Sequence, residues 1–329
     1  MKLLTALTLA SLVTSPISAE QVQHPQRTID YTFFYAQREN PFAPAGVETP
    51  LPPTPTYEQV RSSYDTQKWQ ELWNGAKLQR VDVYRQGEKV DTIAMVRFDP
   101  NKTKMRIISG CPSPTQECDY KLIEEWRAHP QYKNEDNIVL VNSSYYIYGT
   151  SPHGQPETFF IRNGEHFGTP RNKNRGMLIE TLEGKLDLLD SNYTARSTFS
   201  HPQTQWAVQS WPVLKDKEGG IRVRNSQWQA NRSITAKDKQ GNIYVMTTEG
   251  GFFTLYNMGR FLKDLSKQGL EIETAMNLDG GYEGDMFIDT PTFTYLSTGH
   301  FETQGPEANI SWEVGARIKI PTVLAFVPK

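Results

Sequence analysis

Thr274-Ala275-Met276-Asn277-Leu278-Asp279-Gly280-Gly281-Tyr282-Glu283-Gly284-Asp285 is the most legible stretch of this 329-residue chain. Its first five residues read as a strand, which runs straight into a pair of glycines. Three carboxylates and an amide then fall between positions 277 and 285. Paired glycines let a backbone turn sharply and come close to a ligand. A loop that follows a strand end is a common seat for reactive side chains. Two plainer readings compete. Asp-Gly is a frequent turn dipeptide, and an acidic loop can hold calcium through carboxylate and carbonyl oxygens, although the EF-hand spacing is absent.

Working outward, Asn257 to Lys267 has the pattern of an amphipathic helix, with Met258, Phe261, Leu262 and Leu265 on one face and Gly269 at its end. Ser233 to Ala236 and Ile243 to Thr248 read as strands around a turn. Ile318 to Val327 reads as a buried closing strand. Upstream, Phe159 to Arg162 meets Asn163-Gly164, a hairpin signal. Ile138 to Val141 is continuously apolar, as in a strand covered on both faces. Lys121 to His129 reads as helical up to Pro130. Leu78 to Tyr84, Asp91 to Phe98 and Met105 to Ser109 are further strands. Tyr57, Val60, Tyr64, Trp69, Leu72 and Trp73 fall mostly three or four residues apart, which predicts a short helix within Thr56 to Leu78.

Residues 1–19 have the form of an export signal: Lys2, then an apolar run from Leu3 to Val13, then small residues up to a cleavage site after Ala19. Pro41, Pro44, Pro50, Pro52, Pro53 and Pro55 mark an extended linker. The expected organisation is a signal at 1–19, a polar and proline-rich linker with a short helix at 20–77, and one domain at 78–329. The expected fold class is α+β: a mixed β-sheet domain with a few packed helices, a single globular domain. The expected compartment is secreted or periplasmic. No other apolar run is long enough to span a membrane.

Composition narrows the function. Lysine and arginine total 35 against 37 acidic residues, a formal charge of −2. That balance argues against a nucleic-acid binder. Two cysteines cannot build a disulfide scaffold or a four-thiolate zinc site. Cys111 and Cys118 bracket a turn-rich segment, and in an oxidising compartment they pair as one local disulfide. Its small loop limits the stabilisation to below about 3 kcal/mol. No Gly-x-Ser-x-Gly elbow, Walker loop or His-Glu-x-x-His occurs, and the six histidines are scattered. Chemistry must come from carboxylates, amides and arginine.

In their order along the chain, several segments together resemble the phosphodiester glycosidase domain family, from about residue 78 to the C-terminus. They are Thr92 to Pro100, Val139 to Tyr146, Gln209-Ser210-Trp211-Pro212-Val213-Leu214, Asn231-Arg232-Ser233, Asn277-Leu278-Asp279-Gly280-Gly281 and Arg317 to Pro321. Ser143 and Ser144 stand where the family usually has glycines. Trp211 replaces a small residue, and Tyr282-Glu283 replaces small ones.

The resemblance implies hydrolysis of a sugar-1-phosphodiester. A guanidinium suits the phosphate, and Arg232 is the candidate. A carboxylate must stabilise oxocarbenium character or activate water. Asp279 is the candidate, with Glu283 and Asp285 as alternates. Asn142, Asn277, Gly280, Gly281 and Gln209 are candidate substrate contacts, and each has a plain structural role as its alternative. The expected partner is a carbohydrate or sugar-phosphodiester. No cofactor is required, and calcium or another divalent cation at the acidic loop is the open variant. The competing function is a catalytically silent glycan-binding module, in which Trp206, Trp211, Trp228, Tyr145, Tyr146 and Tyr148 stack on sugars.

Overall fold

A computed structural model describes residues 27–35, 56–64, 68–149, 151–171, 174–194, 203–224, 228–302 and 317–329. The expected export signal and most of the expected linker lie outside them. In chain order the strands are β1 (Arg27–Tyr35), β2 (Thr56–Tyr64), β3 (Gln70–Trp73), β4 (Ala76–Arg85), β5 (Glu88–Phe98) and β6 (Thr103–Ser109). Next come β7 (Ile138–Asn142), β8 (Phe159–Arg162), β9 (Glu165–Gly168), β10 (Gly176–Thr181), β11 (Leu186–Asp190) and β12 (Thr204–Ser210). The last are β13 (Val213–Lys215), β14 (Ser233–Asp238), β15 (Ile243–Thr248), β16 (Ile272–Asn277), β17 (Met286–Thr290), β18 (Phe293–Ser297) and β19 (Thr322–Pro328). The one α-helix among the described residues, α1, spans Leu255–Asp264.

The strands form three sheets. The first has the order β1-β2-β4-β5-β15-β14-β16-β13, with β3 also paired to β4; the others are β11-β10-β12-β8-β9 and β18-β17-β7-β19-β6. Every described strand pairing is antiparallel. The fold is therefore a single domain with few helices, as expected, but it is more β-rich than the expected α+β class and its sheets are antiparallel, not mixed.

The period-2 side-chain alternation of strands explains the layering. On β5, Ala94, Val96 and Phe98 face a core shared by all three sheets, where Phe98 stacks on Phe326 of β19 with ring centroids 4.4 Å apart. Ile93 and Met95 face the other way and pack beneath Met258, Phe261 and Leu262 of α1. On β7, Val139 and Val141 enter the shared core, while Ile138 and Leu140 lie under Trp126. Both faces of β7 are buried, as its apolar run predicts.

α1 is capped by Thr254, whose side chain accepts from Asn257 N. It tightens into a 3-10 turn that ends at Gly269, in the left-handed region at φ 87°. The Asn163-Gly164 turn joins β8 to β9 as expected, with both residues at positive φ.

One helix expectation fails. The described residues between Thr56 and Leu78 are not helical: β2 and β3 lie there and β4 begins at Ala76. β2 pairs with β1 and β4, and β3 pairs with β4. Short runs carry too few turns for a helical spacing of aromatics to outweigh this ladder. Lys121 to His129 is helical as expected, as a 3-10 segment, Ile123–Ala128, that ends at His129. Cys111 and Cys118 are joined by a disulfide. No described helix is long and apolar enough to cross a membrane.

Candidate active site

The acidic stretch is the crossover from β16, in the first sheet, to β17, in the third. Main-chain hydrogen bonds from three neighbours fix its course. Leu278 N donates to Ser233 O (2.9 Å), Asp279 N to Ser143 O (3.0 Å) and Gly281 N to Asn231 O (2.8 Å). The end of β7 joins in through Asn142, whose Nδ2 donates to Asp279 O at 2.8 Å. The glycines have packing reasons to be glycine. A Cβ on Gly280 would lie 2.8 Å from Asn231 O, and one on Gly281, at φ 67°, would fall on the Glu302 carboxylate.

Asp279 keeps some solvent access yet is surrounded by protein atoms, which places it in a recess. Desolvation first, then the neighbouring Glu283, raise its carboxyl well above the usual range; Glu302 and Glu157 add to the effect. Its Oδ1 accepts from Gly280 N at 2.9 Å, which partly opposes the shift. Glu283 is pushed up to about 7, chiefly by burial. Its Oε1 accepts from Tyr146 OH at 3.3 Å. Like charges that crowd one recess cannot all ionise together, so Asp279 and Glu283 titrate as a pair.

Arg232 adjoins Tyr145 and Glu302, both of which also interact with Asp279. Burial lowers its pKa to about 10, and Tyr145 and Glu302 oppose that shift. Its Nε donates to Phe253 O (3.0 Å) and its Nη2 to Trp228 O (2.5 Å). Tyr145 OH accepts from Asn277 Nδ2 at 2.7 Å. The Oδ1 atoms of Asn142 and Asn277 are buried without a hydrogen-bond partner. An acceptor left in that state is costly unless a ligand or water fills it.

A phosphodiester glycosidase family model matches residues 136–327, more than half of the chain. The chain belongs to the phosphodiester glycosidase family. Its structure is similar to the catalytic domain of zebrafish N-acetylglucosamine-1-phosphodiester alpha-N-acetylglucosaminidase auto-inhibited by its pro-peptide. The two share 15% identity with a TM-score of 0.53, over 91% of this chain and 88% of that one. A hypothetical protein from Synechocystis is similar at 13% identity and TM-score 0.42, over 77% of this chain and 62% of that one. A comparison with curated proteins finds no match.

Within this family member the candidate residues divide. Asp279, Glu283, Arg232, Asn142 and Asn277 converge. Asp285 stands apart. It is buried, its Oδ1 accepts from Gly299 N at 2.9 Å, and burial pushes it up to about 7 against the pull of Arg317. Gln209 also stands apart, because its amide is consumed by the Arg171 main chain: Oε1 accepts from Arg171 N and Nε2 donates to Arg171 O, both at 2.8 Å. The amides of Gly280 and Gly281 are taken by Asp279 and Asn231, so these glycines shape the loop. Trp206 is core and Trp228 is exposed, while Trp211 packs against Tyr145 with ring centroids 5.1 Å apart and the planes tilted by 37°. Among the described residues no group of three or more His, Cys, Asp or Glu is placed to hold a metal ion.

Glu302 and Asn231 escape the sequence reading. Glu302 reaches the recess from the chain beyond β18, and no motif marks it. Asn231 stands in a recognised segment, but only the fold reveals that its side chain ties that segment to the chain leading to Glu302. A cavity of about 450 Å³ opens elsewhere, lined by Arg106, Arg162, His129 and Trp206. Its arginines already pair with Glu180 and Glu165.

Proposed function

We propose that this protein is an exported glycosidase that hydrolyses a sugar-1-phosphodiester. The observation that carries the reading is the cluster of desolvated carboxyls of Asp279, Glu283 and Glu302, with the buried Arg232 beside Glu302, within or next to the family-matched segment. The Cys111–Cys118 disulfide supports an oxidising compartment.

Water attacks the anomeric carbon, the carbon–oxygen bond to phosphate breaks, and the phosphomonoester leaves with the electron pair. A phosphomonoester has a second pKa near ~6, so it needs little help from a general acid. Asp279, once ionised, takes the water's proton or stabilises the oxocarbenium charge. Arg232 offsets the negative charge of the recess, and the Nη1 group not bound to Phe253 or Trp228 remains as a donor for the ligand. Asn142 Oδ1 and Asn277 Oδ1 accept from sugar hydroxyls.

Incubation with the methyl phosphodiester of N-acetylglucosamine-1-phosphate, and with its glucose, galactose and mannose counterparts, should release free sugar from at least one. Binding without turnover of any would replace the hydrolase with a glycan-binding module.

Removing one of two coupled carboxylates should relieve the other. Glu283→Gln deletes a neighbour that raises the Asp279 pKa. The acid limb of the kcat/KM profile should therefore move to lower pH. A limb that stays in place would assign it to another group.

A further inference from the structure

We infer that Arg175, seated on the Trp211 ring, binds the substrate phosphate and makes the Trp211 side of the recess its anion subsite. The inference rests on the proposed substrate class and names the residue that recognises its charged part.

Arg232 has one guanidinium edge engaged. A phosphate is best held by two parallel N–H groups of one guanidinium edge. The Nε and Nη2 of Arg232 are bound to main-chain carbonyls, so its Nε–Nη2 fork is spent. Arg175 is different. Its Cζ lies 4.6 Å from the Trp211 ring centroid, and its Nε is buried without a hydrogen-bond partner. Trp211 Nε1 is likewise buried and unpartnered. Two orphan donors on stacked side chains call for an acceptor-rich ligand, just as the orphan Oδ1 atoms of Asn142 and Asn277 call for hydroxyl donors.

The wall belongs to the same recess. Trp211 packs against Tyr145, and Tyr145 bonds Asn277. Tyr145 and Glu157 each act electrostatically on both Arg175 and Asp279. Local structure fixes the placement. Arg175 N donates to Ser191 Oγ at 3.1 Å. The next residue is Gly176, where a Cβ would meet Met276 Sδ at 2.7 Å, so only glycine lets β10 come this close to β16. On the other side, Asn277 N donates to Pro212 O, which keeps Trp211 beside the recess. Gln209 acquires a role here as a positioning residue, since it pins the Arg171 main chain and adds a second cation to the rim. Partial burial and Arg171 together lower the Arg175 pKa, against the opposing pull of Glu157. A partly desolvated guanidinium gains more from an anion than one in open water.

The test is the selectivity of the full chain, read by calorimetry as the ratio of affinities for N-acetylglucosamine-1-phosphate and free N-acetylglucosamine. The wild type should favour the phosphate, and Arg175→Gln should cut that ratio about ten- to a hundredfold. With the diester, the same variant should raise KM more than it lowers kcat. Arg175→Lys keeps the charge but loses the fork, so its ratio should fall several-fold; it decides the matter if the glutamine variant does not fold. A wild type with no preference for the phosphate, or a folded Arg175 variant with an unchanged ratio, overturns the inference. A collapsed ratio without turnover by the wild type upholds the anion subsite and removes the hydrolase reading instead.

Discussion

Asp279→Asn should lower kcat/KM for a sugar-1-phosphodiester roughly 10³-fold while the thermal midpoint stays level or rises. The two halves have separate physical origins. Asparagine keeps an oxygen for the 2.9 Å bond from Gly280 N, so the loop retains its anchor. It removes a carboxylate that is desolvated and repelled by Glu283, Glu302 and Glu157. In the folded protein that carboxyl titrates above its unfolded value. Its contribution to stability is therefore full below the unfolded pKa and is lost as pH rises through the folded pKa. At neutral pH an uncharged isostere avoids this cost. Function moves the other way, because a neutral amide can neither take a proton from water nor stabilise a developing cation. Reactive groups held against their electrostatic preference show this opposition of stability and activity. Calorimetric melting beside initial rates checks it. A variant that melts far lower yet still turns over would assign Asp279 to structure.

How far the sequence exposes this site depends on which contacts are local. The run from Asn277 to Asp285 is legible because its carboxylates, amide and glycines are consecutive, and two of its three acids, Asp279 and Glu283, do meet in the recess. Asp285 looks equivalent in sequence, but it turns toward Gly299. Only the course of the chain after the 3-10 turn at Gly281–Glu283 separates the two sides. Glu302, Glu157 and Arg175 come from distant strands and loops, and a lone Glu or Arg carries no local mark of its partners. Gln209 shows the reverse error: a motif residue whose amide is spent on a main chain 38 positions away. The fold divides in the same way. The strands with clear alternation, the Asn163-Gly164 turn and α1 with its terminal glycine follow from local chemistry. The region around β2 and β3 was misread because its strands are fixed by partners, β1 and β4, and not by their own period.

Asn231→Ala should cost roughly 3–5 kcal/mol and lower the melting point by about 10 °C. It should also reduce kcat/KM roughly a hundredfold at temperatures where the variant is still folded. Asn231 is fully buried, and its side chain uses both of its polar ends. Oδ1 accepts from His300 N (3.0 Å) and Phe301 N (2.9 Å), while Nδ2 donates to Thr248 O (2.9 Å) and Gly250 O (3.2 Å). Alanine removes the acceptor of two amides and a donor to two carbonyls in a place where water has poor access, and of the two carbonyls Gly250 O keeps its bond from Thr248 Oγ1 at 2.8 Å. The main chain of the same residue accepts from Gly281 N and donates to Phe301 O. One position thus ties together the acidic loop, the end of β15 and the segment that carries Glu302. If that segment loosens, Glu302 moves relative to Asp279, and displacement of about an ångström is enough for the expected loss of rate. Asn231→Asp separates the two functions of the amide. It keeps the acceptor for His300 and Phe301, loses both donors and adds a negative charge to an already acidic recess. It should therefore hold the Glu302 segment better than alanine while pushing the Asp279 and Glu283 carboxyls still higher, and its acid limb should move to higher pH. Equal melting points for wild type and Asn231→Ala would mean that the three segments are held by something other than this side chain.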